Sequence, residues 1–492
     1  MTRKRRLLLL SGVLAAASFL RFFHLSVTPP GLYIDEAMDG VNAQYAAQTG
    51  QFKVYYPEDN GREGLYVNIL ALAFRYHLLP ETEPWSVRMP AAVIGVLTVL
   101  GVYLLVTELF NESIALLAAF FLATSFWHLN FSRIGFRAIL APFCLSWAMY
   151  FLLKAFRREG SEKYLLYAVA GGVFYGLGFY TYIAFRGTPL LLLVPVFYFR
   201  KQQGMWKCLA VFLTVTFLVA LPIGWYYLNH PADLFARVAQ VSVSRSATPL
   251  AEIARNAYKT ALMFNWHGDR NWRHNISREP ELFWPVGIFF LLGMTVGAAG
   301  FGKRVCGPAA GDSRFAVLFL GVWLVLGAVP EILSDGGIPH ALRAILTVVP
   351  AIVFAAAGAH WTYCRLTAKL GARWMASAAA CFLAFLGAAA YRQYFVTWAR
   401  DVNVAAAFDA GFVAAGRRIN AQPPSAEKYV VVYGGILDYG LPPAAAAVLY
   451  MTHSFVPDAA AQKHVGHIHF LLPGEADRIP SGASPSAIFE IH

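Results

Sequence analysis

The chain has 492 residues, of which 58% are hydrophobic and only 14% are charged. A soluble domain of ordinary composition carries about 25% charged residues. Several apolar runs here reach the roughly 20 residues that a helix needs to cross a bilayer. An ordinary soluble protein is therefore excluded. The net charge of +12 reflects lysines and arginines in short loops, as the positive-inside rule requires, and it does not indicate nucleic-acid binding.

The apolar runs predict an all-α polytopic membrane protein with about eleven transmembrane helices. The predicted spans cover residues 7–27, 90–108, 113–129, 138–156, 164–182, 185–200, 207–228, 282–301, 315–333, 341–361 and 373–391. The first run follows four basic residues and is read as an uncleaved span rather than a signal peptide.

Basic residues fix the predicted orientation, with the N-terminus in the cytoplasm. Beyond the N-terminal cluster, four connections on the same side carry Lys154, Arg157, Arg158 and Lys163; Arg200, Lys201 and Lys207; Lys303, Arg304 and Arg314; and Arg365, Lys369 and Arg373. The 15-residue run Leu65–Leu79 is too short for a span, and counting it would move these clusters outside. We therefore expect it to be an interfacial helix.

Three polar regions then lie on the extracytoplasmic side: loops 28–88 and 229–281, and the tail after residue 391. The tail predicts a small α/β domain, residues 392–492, separate from the transmembrane domain, residues 1–391. Its expected elements are a helical stretch Val404–Asn420, a strand Tyr429–Tyr433, a helix Pro443–Met451 and a strand His467–Leu472. The five cysteines show no disulfide or metal-binding spacing.

Asp35 and Glu36 follow a Pro-Pro-Gly turn at the end of the first predicted span. Helix capping alone would explain acidic residues in a first turn. A carboxylate at the membrane surface could instead accept a proton from an acceptor or hold a divalent cation. Further along the loop, Arg62 and Glu63 lie between two glycines, where the alternatives are a phosphate-binding arginine and an ordinary surface ion pair.

Arginines also occur where the positive-inside rule disfavours them, in short outer turns. They are Arg133, Arg137, Arg186 and Arg343. Each could snorkel to lipid phosphates, but together they favour binding of an anionic ligand such as a phosphate or diphosphate.

The second loop contains a segment, Asn265–Asn275, that is dense in His, Asp, Asn and Trp. Tryptophan faces stack on sugar rings, and Asn or Asp bind hydroxyl groups. His267 and His274 lie seven residues apart, which is not a recognised metal-ligand spacing. The tail histidines His464, His467 and His469 are equally non-specific in their spacing.

The arrangement resembles the membrane-embedded GT-C glycosyltransferases, and most of all the bacterial members of glycosyltransferase family 39, the family of the protein O-mannosyltransferases. The lipid A aminoarabinose transferases are more distantly similar. The resemblance covers roughly residues 15–390. It rests on Asp35-Glu36, Gly61-Arg62-Glu63, Val87-Arg88-Met89-Pro90, Ser132-Arg133-Ile134-Gly135-Phe136-Arg137, the segment Asp269–Asn275, and Pro339-His340-Ala341-Leu342-Arg343. Many members have a proline where this chain has Gly64.

The resemblance implies an enzyme that moves a sugar from a polyprenyl-phosphate-linked donor to an acceptor protein, lipid or glycan, with inversion, at the extracytoplasmic face of the inner membrane. Asp35 would be the catalytic base, while Glu36 and Glu63 would orient substrate. The implied donor-phosphate site is Arg62, Arg133, Arg137, Arg186 and Arg343. The implied substrate-binding residues are Tyr182, Asp269, Asn271, Trp272, His274 and His340.

The sequence leaves the cofactor open, and a divalent metal would use Asp35, Glu63 or His274. Two other classes of function are alternatives. A secondary transporter or flippase should carry ionisable residues near the bilayer midplane, whereas here they crowd the outer edge. A non-catalytic GT-C-like protein of surface polymer assembly would not require the intact Asp35-Glu36 pair. Among enzymes, a ligase that moves a whole oligosaccharide is a further alternative.

Overall fold

A computed structural model describes residues 2–58, 61–157, 163–235, 242–299, 313–434, 440–458 and 460–491. The predicted inner-loop residues Arg158, Lys303 and Arg304 lie outside the described residues. The chain divides into two compact units. The helical unit comprises Met1–Phe23, Ala91–Ser132 and Ala138–Trp398, and the mixed unit comprises His24–Pro90, Arg133–Arg137 and Ala399–His492.

Helices dominate the described chain, with short strands in the first polar loop and the tail. In chain order the elements are α1 (Arg3–Phe22), α2 (Ile34–Thr49), β1 (Tyr55–Tyr56), β2 (Arg62–Glu63), α3 (Leu65–Arg75), α4 (Pro84–Leu109), α5 (Glu112–Thr124), α6 (Phe126–Phe131), α7 (Leu140–Arg157), α8 (Tyr164–Gly178), α9 (Pro189–Phe199), α10 (Met205–Asn229), α11 (Pro249–Met263), α12 (Trp284–Ala298), α13 (Ser313–Ile332), α14 (Val348–Leu370), α15 (Ala372–Tyr391), α16 (Val402–Ala407), α17 (Ala410–Asn420), β3 (Lys428–Val432), α18 (Ala445–Thr452), β4 (His464–Val465), β5 (Ile468–Leu471) and β6 (Ile488–Ile491).

Six helical segments of the described chain are long and apolar enough to cross a membrane: Pro84–Leu109, Arg137–Arg157, Met205–Asn229, Ser313–Ile332, Ile345–Leu370 and Ala372–Trp398. A helix lies over each of the remaining predicted spans, but several are shorter than a bilayer is thick. The polytopic all-α class is therefore confirmed, whereas the number of eleven spans stays a prediction. The helix α3 has 11 residues, which agrees with the expectation that its run does not span.

Close helix packing in the helical unit depends on glycines. A Cβ atom at Gly293 of α12 would lie 1.9 Å from the carbonyl oxygen of Phe354 in α14, and one at Gly358 of α14 would lie 2.2 Å from the carbonyl oxygen of Phe289. Only glycine allows two helix backbones to approach so closely, as is common where helices associate in a membrane.

The mixed unit is built around one apolar core that the first polar loop and the tail share. Residues of α2 and α3 pack with residues of α17, α18 and the tail sheet, and nearly all are fully buried. The sheet has the order β4-β5-β3-β6. Its central strand β3 runs parallel to both β5 and β6, and Val430 pairs with Phe470 on one side and Phe489 on the other.

The predicted tail elements are all present, with shifts of a few residues, and the helical stretch Val404–Asn420 is interrupted between α16 and α17. The strands β4 and β6 were not predicted. The tail also differs from the expected separate domain, residues 392–492, because it shares its core with the first polar loop. Such a shared core buries apolar faces that neither segment could cover alone.

Candidate functional site

In the first turn of α2, the carboxylate of Glu36 is bonded to other segments of the protein. Glu36 is fully buried and forms two bonds with Arg88, Nε to Oε1 at 2.9 Å and Nη2 to Oε2 at 3.0 Å. The backbone N–H of Gly135 also donates to Glu36 Oε1, at 2.6 Å. Arg88 in turn donates to the carbonyls of Pro29 and Gly31. Glu36 thus anchors α2 to two other segments, which favours a structural role for it.

Asp35 and Asp39 lie one turn apart on α2, and Arg62 contacts both. Arg62 Nη1 donates to Asp39 Oδ1 at 2.8 Å and to the backbone carbonyl of Asp35 at 3.1 Å. The carboxylate of Asp35 lies 3.9 Å from Arg62 Nη2, and its side chain is 41% exposed, whereas those of Arg62 and Asp39 are 1% and 2% exposed. Burial raises the pKa of Asp39 above its ordinary value, although Arg62 and Arg137 act in the opposite direction.

Two further arginines complete this carboxylate–arginine network, which we define as Asp35, Glu36, Asp39, Glu63, Arg62, Arg88, Arg133 and Arg137. Arg137 Nε contacts Glu63 Oε2 at 3.2 Å. Arg133 is fully buried, and its Nη2 donates to the carbonyl of Thr28 at 3.0 Å. The network therefore brings together six of the residues predicted from the sequence. Among its four carboxylates, Asp35 is the exposed one.

Aromatic rings hold the start of α2 in place. The ring of Tyr33 stacks on Phe136 at 5.9 Å and meets Phe408 edge-on at 5.9 Å. The guanidinium of Arg88 lies 5.9 Å from the Phe408 ring centre. Phe408, a residue of the tail, thus contacts both Tyr33 and Arg88, which hold the first turn of α2 in place.

A second polar cluster occurs in the helical unit, where Asp269 joins two histidines. Asp269 Oδ2 lies 2.9 Å from His274 Nδ1 and 4.0 Å from His340 Nδ1, and it accepts the backbone N–H of Ala341 at 2.8 Å. The rings of His274 and His340 lie 4.7 Å apart. This arrangement links the Asp269–Asn275 segment to the Pro339–Arg343 turn.

Burial changes the pKa values of the ionisable groups in and around this cluster. Although burial alone would raise the pKa of Asp269, the contacts with His274 and His340 and the backbone N–H of Asn271 hold it below its ordinary value. Burial, aided by the nearby His274, lowers the pKa of His340 well below its ordinary value. Burial also raises the pKa of Glu281 well above its ordinary value, and the adjacent Asp269 charge adds to this. Glu281 therefore favours its neutral form.

Among the described residues, Asp269, His274 and His340 form a group that could hold a metal. Each offers one ligand atom, and the three atoms all lie within 4.8 Å of one another. One oxygen and two imidazole nitrogens suit zinc and related divalent cations. Within the part of the chain that the structure describes, His340 Nδ1 is buried without a hydrogen-bond partner, which fits a ligand atom. The structure engages Glu63 with Arg137 instead, so His274 is the one of the three residues named for a metal that belongs to this group.

The remaining predicted site residues belong to the helical unit. Arg186 donates to the Leu234 carbonyl and the Tyr227 hydroxyl, and its guanidinium lies 4.8 Å from the Tyr227 ring centre. Arg343 donates to the Gly336 carbonyl at 3.0 Å, and in the described residues no carboxylate lies within 4.0 Å of it.

Three other predicted residues occupy turns of this unit. Asn271 Oδ1 accepts the backbone N–H of Arg273 at 3.0 Å, and the Trp272 carbonyl accepts Trp398 Nε1–H at 2.8 Å. Tyr182 is the residue that precedes a 3₁₀ turn, Ile183–Gly187, and it is half-buried. Each lies beside a polar segment, but none has its side chain in the Asp269 cluster.

Three functional candidates were missed from the sequence alone. Arg88 was noticed only as part of a motif, Asp39 only as the end of an acidic run, and Glu281 only as a loop boundary. Asp39 lies four residues after Asp35, so the helical period would have placed both on one face of α2. No comparable signal was available for Glu281, whose role follows from a tertiary contact with the backbone N–H of Asp269.

Comparison with known proteins agrees with the architecture. Residues 69–226 match the family model described as dolichyl-phosphate-mannose-protein mannosyltransferase, and no curated protein sequence matches the chain significantly. The apo structure of ArnT from Cupriavidus metallidurans superposes with a TM-score of 0.57 at 14% identity, covering 99% of this chain and 89% of that one. The same enzyme bound to undecaprenyl phosphate gives a TM-score of 0.56.

The oligosaccharyltransferase AglB from Archaeoglobus fulgidus, in complex with an inhibitory peptide and a dolichol-phosphate, superposes with a TM-score of 0.55 at 16% identity. The match covers 91% of this chain and 63% of that one. The chain has the GT-C fold. The fold expected from the resemblance is therefore confirmed, and the chain spans less than two thirds of the length of AglB.

Proposed function

We propose that this GT-C protein is an integral membrane glycosyltransferase that moves a sugar from a polyprenyl-phosphate-linked donor to an acceptor on the extracytoplasmic side. The observation that carries the proposal is the state of Asp35. It is a carboxylate whose side chain is 41% exposed, within a network whose other carboxylates are buried against arginines. Buried, ion-paired neighbours hold this half-exposed carboxylate in a fixed position, which is what general-base catalysis requires.

In the proposed reaction, Asp35 accepts the proton of an acceptor hydroxyl or amine while the acceptor atom attacks the anomeric carbon of the donor sugar. The bond between that carbon and the phosphate oxygen breaks, and its electron pair leaves with the polyprenyl phosphate. A single displacement of this kind inverts the anomeric configuration. Positive charge near the leaving phosphate lowers the barrier, because it stabilises the negative charge that develops there.

Arginines would supply this charge. Arg343 is well suited, because its guanidinium contacts a backbone carbonyl and in the described chain no carboxylate lies within 4.0 Å of it. Arg186, in the same unit, donates to a carbonyl and to a hydroxyl group. Arg62 and Arg137 differ from these, since both pair with carboxylates. We therefore assign Arg186 and Arg343 of the helical unit to the donor phosphate, with Arg62 and Arg137 as supports of the network.

The polar cluster of the helical unit would serve the sugar or the acceptor. Asp269, His274 and His340 present hydrogen-bonding groups from two segments at one place. The same three side chains fit a divalent cation, which when bound would supply positive charge to an anionic group. The mannose named in the matching family model makes a mannosyl donor the first to test.

The test uses the purified chain in lipid nanodiscs with tritiated polyprenyl-phosphate-mannose and extracted membranes as the acceptor source. Asp35→Asn should reduce the transfer of label to protein or lipid by about 10²- to 10⁴-fold, since that is what a general base contributes. Binding of polyprenyl phosphate should stay within about twofold of wild type, because the carboxamide has the same shape.

Glu83→Gln is the matched control, since its side chain is 43% exposed in the same unit and contacts Arg417. This variant should transfer like wild type. Wild-type transfer by Asp35→Asn would overturn the assignment of the base. If no label moves with the wild-type chain, polyprenyl-phosphate-linked glucose and aminoarabinose are tried in turn, and failure with all three would count against the proposed class of donor.

A further inference from the structure

The tail carries three histidines and a glutamate together on the edge of its sheet. The strands β4 and β5 form an antiparallel hairpin in which His464 pairs directly with His469. The loop between the strands has two residues, and the first, Gly466, has a φ of +62°, which fits the type II′ turn of such hairpins. This turn sets the register of the strands. It therefore places two histidines opposite each other whose spacing in the sequence is not a recognised metal motif.

The two paired imidazole rings direct the same type of atom towards each other. His464 Nδ1 lies 2.8 Å from His469 Nδ1, and the ring centres are 5.1 Å apart. Each nitrogen either donates a proton or offers a lone pair, depending on the tautomer of its ring. In a hydrogen bond one of the two nitrogens must carry a proton, whereas a metal ion accepts the lone pairs of both.

Glu427 fixes the tautomer of His469. It directly precedes β3, the strand that pairs with β5, and its Oε2 accepts a hydrogen bond from His469 Nε2 at 2.5 Å. A proton on Nε2 leaves Nδ1 of the neutral ring with a lone pair directed at His464. Histidines that bind metals almost always donate their second ring N–H in this way, often to a carboxylate, which fixes the ring and raises its basicity.

Two further contacts hold these side chains in place. Tyr429 pairs with His469 in neighbouring strands, and its ring stacks on the imidazole with the centres 5.0 Å apart. The second oxygen of Glu427, Oε1, lies 2.7 Å from His467 Nδ1. A ring that is held on its face and at one edge loses little freedom when it binds an ion, and such preorganisation favours binding.

We propose that His464 and His469 bind a divalent transition-metal ion through their Nδ1 atoms, with Glu427 as the outer partner of His469. The separation of the two nitrogens indicates which ion. Ligands about 2.0 Å from a metal that lie 2.8 Å from each other subtend about 90° at the metal. Neighbouring ligands of square-planar or tetragonal copper(II) and nickel(II) have this angle, whereas zinc favours the wider tetrahedral angle. His464 is exposed on the edge strand β4, so water can complete the coordination.

The proposed site goes beyond the transfer reaction and does not depend on it. Its residues belong to the tail sheet and to neither the Asp269 cluster nor the carboxylate–arginine network. A copper(II) ion bound to both histidines would link β4 to β5 and, through Glu427, to the start of β3. Because such an ion binds the folded hairpin, it should stabilise this edge of the sheet.

The experiment titrates copper(II) into the full chain, purified in detergent without a polyhistidine tag, and follows binding by calorimetry and pulsed EPR. Wild type should have a site at which copper couples to two imidazole rings. His464→Ala and His469→Ala should each weaken binding at this site by more than about tenfold and remove one imidazole from the EPR signal, since losing a ligand costs more than losing an outer partner. Glu427→Ala, which removes the outer partner, should weaken binding by about 10–100-fold.

Two control variants should keep the two-imidazole signal and the copper affinity of wild type. His467→Ala removes the third histidine of the hairpin, and His274→Ala removes a ligand atom from the Asp269 cluster. Equal copper affinity in wild type and His464→Ala would make the contact a hydrogen bond between two imidazoles and overturn the proposal. Loss of the site in His467→Ala but not in His464→Ala would also overturn it, because the ion would then lie between Glu427 and His467. Tighter binding of zinc than of copper would contradict the square-planar geometry.

Discussion

At the scale of the residue, burial assigns different roles to identical functional groups. Four carboxylates meet in the carboxylate–arginine network, and three of them are nearly inaccessible to solvent. Removing a charge from water is costly unless a partner compensates it, and each of these three has an arginine partner. Asp35 differs from them, because its side chain is 41% exposed and is therefore accessible to an acceptor.

Glu281 shows the opposite case, a buried carboxyl group without a cationic partner among the described residues. Its Oε1 accepts the backbone N–H of Asp269 at 2.9 Å, and Oε2 is buried without a hydrogen-bond partner. Because burial raises its pKa in the folded state, Glu281 stabilises the fold fully below its unfolded pKa near 4.3. That stability is lost as the pH rises towards the folded-state pKa, at about 1.4 kcal/mol per unit.

Replacing Glu281 by Gln removes this dependence while keeping the acceptor atom. The melting temperature of Glu281→Gln minus that of wild type should therefore be larger at pH 8 than at pH 5, by several degrees. The measurement is thermal unfolding in detergent at both pH values. Glu279→Gln, which changes an exposed neighbour of Glu281, is the control. The same change of melting temperature with pH in wild type and in Glu281→Gln would contradict the expectation.

Individual residues were predictable to the extent that local pattern determines them. Asp35, Arg62 and Glu63 were identified because their types and neighbours are unusual at a membrane surface. What the sequence could not give is which carboxylate stays exposed, since that depends on where Arg88 and Gly135 arrive in three dimensions. The grouping of Asp269 with His340 likewise depends on a contact between segments about 70 residues apart.

At the scale of the element, α2 and α18 approach each other closely at one glycine. A Cβ atom at Gly40 would lie 2.6 Å from the ring of Tyr450 and 3.1 Å from a Val87 methyl group. Tyr450 cannot easily yield, because it is fully buried and its hydroxyl donates to the Glu83 carbonyl at 2.9 Å. The helix that presents Asp35 is thus positioned by the tail.

Gly40→Ala should therefore destabilise the protein by about 1–3 kcal/mol, the usual effect of overpacking, and reduce transfer because α2 must shift. Gly411→Ala adds a methyl group to the helix α17 of the same unit. A Cβ atom at this position would have no other atom within 4 Å. That control should be neutral or slightly stabilised, since alanine favours a helix. Equal melting temperatures for the two variants would refute the close packing of α2 with α18.

The elements themselves were largely predictable, because apolar length and periodicity determine them locally. The tail strands β3 and β5 and the helix α18 were expected within a few residues. The packing of the tail against the first loop was not predictable, since their shared core joins residues more than 300 positions apart. The strand β6 has a burial pattern that alternates over only four residues, a signal too short to predict a strand.

At the scale of the whole molecule, the membrane topology depends on α3. With 11 residues it spans about 16 Å at 1.5 Å per residue, roughly half of the hydrocarbon thickness. Its buried residues, among them Val67, Leu70 and Phe74, belong to the apolar core of the mixed unit. A helix whose apolar face is already buried in protein has no need of a lipid environment, which favours the placement of α3 outside the bilayer.

Alkaline phosphatase fused after successive residues tests this topology, because the enzyme is active only outside the cytoplasm. Fusions after Glu81, Arg270 and Ser425 should be active, and fusions after Gln202 and Gly371 should be inactive, as eleven spans with a cytoplasmic N-terminus require. If α3 crossed the membrane, the sign of every one of these fusions would be reversed. The basic residues beside Gln202 and Gly371 would then lie outside, against the positive-inside rule, and Asp35 would no longer share a side with the Asp269 segment. The fusion pattern therefore decides whether the base and the second polar cluster are able to serve one extracytoplasmic reaction.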